Sequence, residues 1–151
     1  MTTDFSPRLF ASDAAVRRVG TGLLARTLPR PAWTHEAHLA ACVWLMRARP
    51  DIAPERDLPA IIRAYNVSVG GVNDDTQGYH ETLTQLYIAG VRAHLAELPA
   101  ETPLVDAVNA LIASPRGARD WPLTLYSRDL LFSVAARRGF VAPDRKGLGA
   151  A

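Results

Sequence analysis

The amino-acid sequence predicts an all-α protein, folded as a single-domain helical bundle of four to six helices. Apolar residues recur with a period of about 3.6 through most of the chain, and no run alternates apolar and polar residues as a half-buried strand would. The chain has 151 residues, of which 48% are hydrophobic and 21% charged, as is typical of one globular domain. We therefore take residues 1–151 as one domain, with 1–32 as a peripheral N-terminal segment and 143–151 as a frayed tail.

The first two helices are predicted from their N-caps and from the prolines that follow them. Ser12 and Thr34 each precede a periodic apolar run, and both residue types accept hydrogen bonds from the free amides of a first helical turn. Proline ends such a run because it lacks the amide that a helix interior needs. We expect helices over about 12–28 and 34–49.

Four further helices and a loop are predicted downstream. A helix begins at residue 54 or 57 and continues to about 69, where Gly70 and Gly71 end it. A polar, glycine-rich loop then leads to Gly78. The predicted spans of the remaining helices are 76 or 79 to 98, 102–113 and 127–138. The first of these is the longest helix, and it has an apolar stripe along one side.

Charge and composition exclude several classes of partner. Lys and Arg total 17 against 15 for Asp and Glu, which gives a net charge of +2 without a concentrated basic stripe, so we expect no nucleic-acid binding. No stretch approaches the roughly 20 apolar residues of a membrane-spanning helix, so we expect no membrane partner. The single cysteine, Cys42, suits a reducing compartment, and we predict a cytoplasmic protein. The oligomeric state stays open.

Two segments with a His-Glu dipeptide are the candidate functional motifs. The sequence reads WTHEAHL at 33–39 and GYHETLT at 78–84, and together these segments hold three of the four histidines. On an ideal helix, His35, His38 and Cys42 lie within about 60° of one another, on the apolar face. His80 falls on the apolar stripe of the longest helix. These three histidines are therefore predicted to point into the bundle.

Helix connectivity predicts that the histidines meet at one end of the bundle. Short connections favour antiparallel neighbours, so the second and fourth helices should begin at the same end. His35 and His38 would then share a layer with His80 and Glu81. The end of the intervening helix and a later segment would add four residues at the border, namely Arg63, Asn66, Tyr126 and Arg128.

Our first functional hypothesis is a divalent-metal site, with the protein acting as a metal-dependent enzyme on a small, anionic substrate. The positive end of a helix dipole favours neutral imidazole, the form that binds metal. His35, His38 and His80 would bind Zn, Fe, Mn or Ni, with Cys42 as a possible thiolate contributor. Glu81 would act as ligand or general base. The expected substrate contacts are Arg63, Asn66, Tyr126 and Arg128, where an arginine holds the anionic group.

Two alternatives stand beside the metal hypothesis. In one, the same polar layer binds a small anionic or amide-bearing molecule without a metal. In the other, the protein is a structural or interaction protein, and the histidines form a buried hydrogen-bond network that fixes helix register. The HETLT sequence at 80–84 is not a zincin motif, because threonine replaces the second histidine that binds zinc.

The chain resembles a group of small, all-helical bacterial proteins of unassigned function. The resemblance covers most of the chain from Trp33 to Asp144 and is carried by the two histidine segments, by YSR at 126–128 and by VAPD at 141–144. It implies that the histidine segments and the Tyr-Ser-Arg segment belong to one pattern. It brings no activity with it.

Overall fold

The computed structural model describes residues 8–145, and this part of the chain is all-α. Five longer helices are followed by two short ones, with short 3-10 turns at 30–32, 115–117 and 121–124. This confirms the predicted fold class. The helices are α1 (Asp13–Ala25), α2 (His35–Ala48), α3 (Pro54–Ser68), α4 (Glu81–Ala96), α5 (Leu104–Ala113), α6 (Arg128–Leu131) and α7 (Val134–Arg138).

Helices α1 and α2 begin as predicted and pack closely together. The side-chain oxygens of Ser12 and Thr34 each accept a hydrogen bond from a backbone amide of the first turn, at 3.1 Å. Gly20 permits the close packing, because a Cβ there would lie 2.2 Å from an atom of the Trp44 ring. Val16 in α1 has no exposed surface. The N-terminal segment therefore contributes to the core, whereas we expected it to be peripheral.

The central part of the molecule is formed by α2, which contacts α1, α3, α4 and α5. Its residues Ala40, Val43 and Leu45 have no exposed surface. Helix α4 also packs against α3 and α5. Residues from the starts of α2 and α4 and from the end of α3 line one cavity. The predicted arrangement, in which α2 and α4 begin at the same end of the bundle, agrees with this placement.

The C-terminal region departs from the sequence prediction in two ways. The single helix expected over 127–138 is divided: α6 ends at Leu131, and Ser133 accepts a hydrogen bond from the backbone of Ala136 as the N-cap of α7. The chain at 143–145 is held in place by Asp144, which accepts hydrogen bonds from the amide and hydroxyl of Ser127 at 2.7 and 2.6 Å. The rest of the predicted frayed tail, 146–151, lies outside the described residues.

None of the helices within residues 8–145 combines the length and the apolar character needed to cross a bilayer.

Candidate ligand-binding cavity

A cavity of about 630 Å³ lies between α2, α3 and α4 and is bordered by the loop that joins α3 to α4. His35, His38 and His80 all line it, together with Asn66 near the end of α3. The cavity thus brings together four of the residues that we expected at one site. Most of the remaining wall is apolar or aromatic, with Trp33, Leu39, Leu58, Ile62, Tyr65, Leu83, Tyr87, Ile88 and Val91 among its residues.

His38 is exposed because it faces this cavity, although protein atoms surround much of its ring. Its Nδ1 lies 2.7 Å from the backbone oxygen of Thr34, and its ring stacks on Trp33 with 3.7 Å between the ring centroids. Burial is the main reason that the pKa of His38 falls to about 4. The imidazole is therefore neutral at pH 7. Since a carbonyl oxygen only accepts, the proton is on Nδ1 and the lone pair is on Nε2.

His80 is buried and both of its ring nitrogens are engaged. Nδ1 accepts a hydrogen bond from the backbone amide of Leu83 at 3.1 Å, so His80 is the N-cap of α4. Nε2 lies 2.7 Å from the carbonyl oxygen of Leu131 and donates to it. Burial lowers the pKa of His80. No lone pair of this imidazole is left for a metal or a ligand in this arrangement.

His35 joins α2 to the segment that precedes α6. Its Nε2 lies 2.8 Å from the carbonyl oxygen of Gly117, and its ring meets the ring of Tyr87 edge-on with 5.4 Å between centroids. The carbonyl again requires a proton on Nε2. In the neutral ring, Nδ1 is then the acceptor.

The three histidines share a cavity but do not form a coordination group. Within residues 8–145, no three His, Cys, Asp or Glu side chains are grouped so that they could hold a metal ion. The nitrogens instead bond to backbone groups of three separate segments. Burial raises the pKa of the Cys42 thiol to about 12, which keeps it protonated and unsuited to act as a thiolate ligand or nucleophile.

Four residues that we expected at the site lie elsewhere. Arg63 stacks over the ring of Tyr79, 4.4 Å from its centroid, and Glu81 accepts a hydrogen bond from the Tyr79 hydroxyl. Arg128 is exposed and faces the ring of Phe132 at 6.0 Å. The remaining residue is Tyr126, which is buried in a separate cluster and donates to the carbonyl oxygen of Val141 at 2.6 Å. None of these four lines the cavity.

The cavity wall has almost no charge. No Asp or Glu is found among the described residues that line it, and Arg30 is the one cationic side chain there. Arg30 is exposed and reaches the backbone oxygen of Val69 at 3.5 Å, so it lies at the solvent edge. The anionic substrate that we expected from Arg63 and Arg128 thus has no buried cation to meet it.

The aromatic residues of the wall are functional candidates that the sequence patterns did not indicate. Trp33 and Tyr65 lie with 5.5 Å between their ring centroids, and the Tyr65 hydroxyl donates to the backbone oxygen of Leu28 at 2.8 Å. Burial raises the pKa of Tyr87, so its hydroxyl stays protonated. The available signal was the set of aromatic residues at 33, 65, 79 and 87, close to the histidine segments on either side of one loop.

The loop 69–80 forms one side of the cavity and is held by specific bonds. The Asn73 side chain accepts from the Asn66 amide and from the Tyr79 backbone, both at 3.0 Å. Gly78 has a φ of +79°, which only glycine adopts without strain. Asp75 forms a two-bond ion pair with Arg138 of α7 at 2.8 and 2.7 Å. The loop is therefore an ordered wall.

Comparison of the chain with models of known protein families, with curated proteins and with solved structures found no match.

Proposed function

We propose that this protein binds a small organic molecule in the cavity between α2, α3 and α4, and that binding requires no metal ion. The observation that carries the proposal is the cavity itself. Its volume of about 630 Å³ falls in the range of ligand pockets, roughly 300–1,000 Å³. Its wall is mostly apolar and aromatic, with a few polar groups in fixed orientations, which is the usual composition of a small-molecule site.

The hydrogen-bond partners of the histidines favour this function over metal binding. A metal ligand needs a free lone pair on imidazole, and both nitrogens of His80 are already bonded to backbone groups. Binding of Zn, Fe, Mn or Ni by His35, His38 and His80 stays a prediction. It would require the start of α4 to give up its cap. Catalysis by Glu81 and Arg128 likewise stays a prediction, and the proposal concerns binding alone.

The test is titration of the full chain, after treatment with a strong chelator, with Nile red, an uncharged apolar dye whose fluorescence rises in apolar surroundings. We expect saturable binding with one site per chain. Two exposed valines provide a matched pair of variants, since Val72 lines the cavity and Val67 does not. Val72→Trp should weaken dye binding at least about fivefold, through steric blocking, and Val67→Trp should leave it within about twofold.

Absence of saturable binding in the chelated wild-type protein would contradict the proposal and favour the structural alternative. Binding that appears only after zinc is added would favour the metal hypothesis instead. Equal weakening by Val72→Trp and Val67→Trp would place the dye outside the cavity.

A further inference from the structure

The hydrogen-bond donors of the cavity wall are largely engaged with the protein itself. The hydroxyls of Tyr65, Tyr79, Tyr87 and Thr84 donate to backbone carbonyl oxygens or to a carboxylate. The three imidazole N–H groups also donate to backbone carbonyl oxygens, as their partners require. Seven donor groups of the wall are therefore already satisfied.

Three acceptors of the wall, in contrast, have no donor among the described residues: Nε2 of His38, the side-chain oxygen of Asn66 and Nδ1 of His35. Nδ1 of His38 is held by the first turn of α2, so the lone pair of Nε2, on the other side of the ring, is left for the cavity. Burial keeps this imidazole neutral, since its pKa is about 4. The side-chain amide of Asn66 donates to Asn73, which leaves its oxygen as a second acceptor. The donors that remain are the indole N–H of Trp33 and the second amide proton of Asn66, both on partly exposed residues, and those of the exposed Arg30 and Gln77.

From this balance we propose that the ligand is an uncharged aromatic molecule with a hydroxyl group, and that the hydroxyl donates a hydrogen bond to Nε2 of His38. This inference rests on the proposed function. A flat ring suits a wall that contains Trp33, Tyr65 and Tyr87. Nε2 of His38 has no donor within the described part of the protein, so a ligand that displaces water from the cavity keeps this acceptor satisfied only if it supplies a proton of its own.

The same inventory disfavours anions and ethers. A carboxylate only accepts hydrogen bonds, so it would face the lone pair of His38 without a proton between them. It would also lose its hydration in a cavity whose one cationic side chain, among the described residues, lies at the exposed edge. A methyl ether keeps the ring but has no proton to donate. These differences define a discriminating set of probes.

The test measures, by calorimetry on the chelator-treated full chain at pH 7, the affinities of 2-naphthol, 2-methoxynaphthalene and 2-naphthoate. We expect 2-naphthol to bind about tenfold more tightly than the methyl ether, because a single hydrogen bond contributes about that factor in affinity. Naphthoate should bind most weakly. Equal affinity for naphthol and its ether, or tighter binding of naphthoate, would overturn the inference. Failure of every naphthalene and of Nile red would instead contradict the proposed function.

Two variants test whether Nε2 of His38 accepts the hydrogen bond from the ligand hydroxyl. His38→Phe keeps a ring for the stack on Trp33 but removes Nε2, so the preference for naphthol over its ether should fall to within about twofold. Thr84→Val is the control, because the Thr84 hydroxyl also lines the cavity and already donates to the His80 backbone. It should retain the preference. If Thr84→Val removes the preference and His38→Phe does not, the assignment to His38 is wrong. The wild-type affinities decide the ligand class even if a variant fails to fold.

Discussion

The segments 33–39 and 78–84 each contain a His-Glu dipeptide at the start of a helix. The position of the dipeptide relative to the N-cap differs by one residue between the two segments. In the first, Thr34 is the N-cap and His35 is the first helical residue. In the second, His80 is itself the N-cap. The side chain of His80 therefore caps its own helix in addition to its bond with the Leu131 carbonyl, whereas His35 bonds only to a distant carbonyl. A shift of one residue changes what the same dipeptide does.

The glutamates differ for the same reason. Glu36 is only 4% exposed, and its Oε1 has no hydrogen-bond partner; the nearest cation is the exposed Arg119, at 3.6 Å. Glu81 is partly exposed and accepts a hydrogen bond from the Tyr79 hydroxyl. Sequence similarity between the two segments thus conceals two different hydrogen-bonding patterns. Neither glutamate lines the cavity that the histidines share.

Replacement of each histidine by alanine should give the largest difference between the two segments. His80→Ala removes the cap of α4 and the bond to Leu131, and we expect a loss of about 3 kcal/mol in the free energy of unfolding. His35→Ala removes the bond to Gly117 and the edge-on contact with Tyr87 but no helix cap, and it should cost about 1.5 kcal/mol. Urea unfolding measures both. His80→Asn should recover about 1 kcal/mol relative to His80→Ala, because asparagine is a good N-cap.

Equal losses for His35→Ala and His80→Ala, or no recovery with asparagine, would show that His80 does not cap α4.

Stability should also fall as the pH is lowered from 6.5 towards 4. The unfolded chain takes up protons at its histidines near pH 6.5, whereas folded His38 resists protonation until about pH 4 and the pKa of His80 is also lowered. The unfolded state therefore binds more protons in this window. We expect the free energy of unfolding to fall by about 1 kcal/mol between pH 6.5 and 5. A fully buried histidine would give a larger fall, but His38 keeps accessible surface.

The measurement is the urea midpoint across this range, with His38→Phe as the comparison. Above pH 5 the paired carboxylates stay ionised, since ion pairing holds the pKa of Asp57 at about 2 and lowers that of Asp75. His38→Phe should therefore flatten the profile. A profile as steep as that of the wild type would mean that His38 does not contribute.

Neutralising the two glutamates should give the smallest difference. Glu81→Gln weakens a hydrogen bond to a charged acceptor and removes a negative charge from the first turn of α4, for a cost of about 0.7 kcal/mol. Glu36→Gln also removes a charge from a first helical turn, but it relieves a buried carboxylate oxygen that has no hydrogen-bond partner in the described part of the chain. Since the contact with the exposed Arg119 is weak, we expect these effects to offset and stability to change by less than about 0.3 kcal/mol. Thermal unfolding of both variants checks the order. A larger loss of stability for Glu36→Gln than for Glu81→Gln would contradict this prediction.

Local signals predicted the parts of this structure that depend on neighbouring residues. Ser12 and Thr34 are strong N-caps and are found as such. The shared end of α2 and α4 followed from short connections, which brought three histidines to one cavity. The role of His80 as a cap did not follow, because histidine is not among the preferred N-cap residues. The start of α4 was predicted at 76 or 79 and is found at 81, and this error also misplaced Glu81.

Sequence patterns could not predict the hydrogen-bond partners of the histidines. His35 bonds to a carbonyl 82 residues away and His80 to one 51 residues away. Backbone oxygens carry no residue-type signal, so nothing in the sequence marks Gly117 or Leu131 as acceptors. Tyr126 and Arg128 were misplaced because the segment after α5 forms a separate cluster, in which Tyr126 packs with Leu86 and Leu131, and neither residue lines the cavity.

The most direct test of the binding site is a long-range proton–nitrogen NMR spectrum of the imidazoles in the metal-free protein at pH 7, recorded with and without 2-naphthol. We predict neutral rings with the proton on Nδ1 of His38 and on Nε2 of His80. Naphthol should shift Nε2 of His38 and leave both nitrogens of His80 unchanged. A charged His38, or a spectrum that responds to zinc at His35, His38 and His80 together and not to naphthol, would contradict the account.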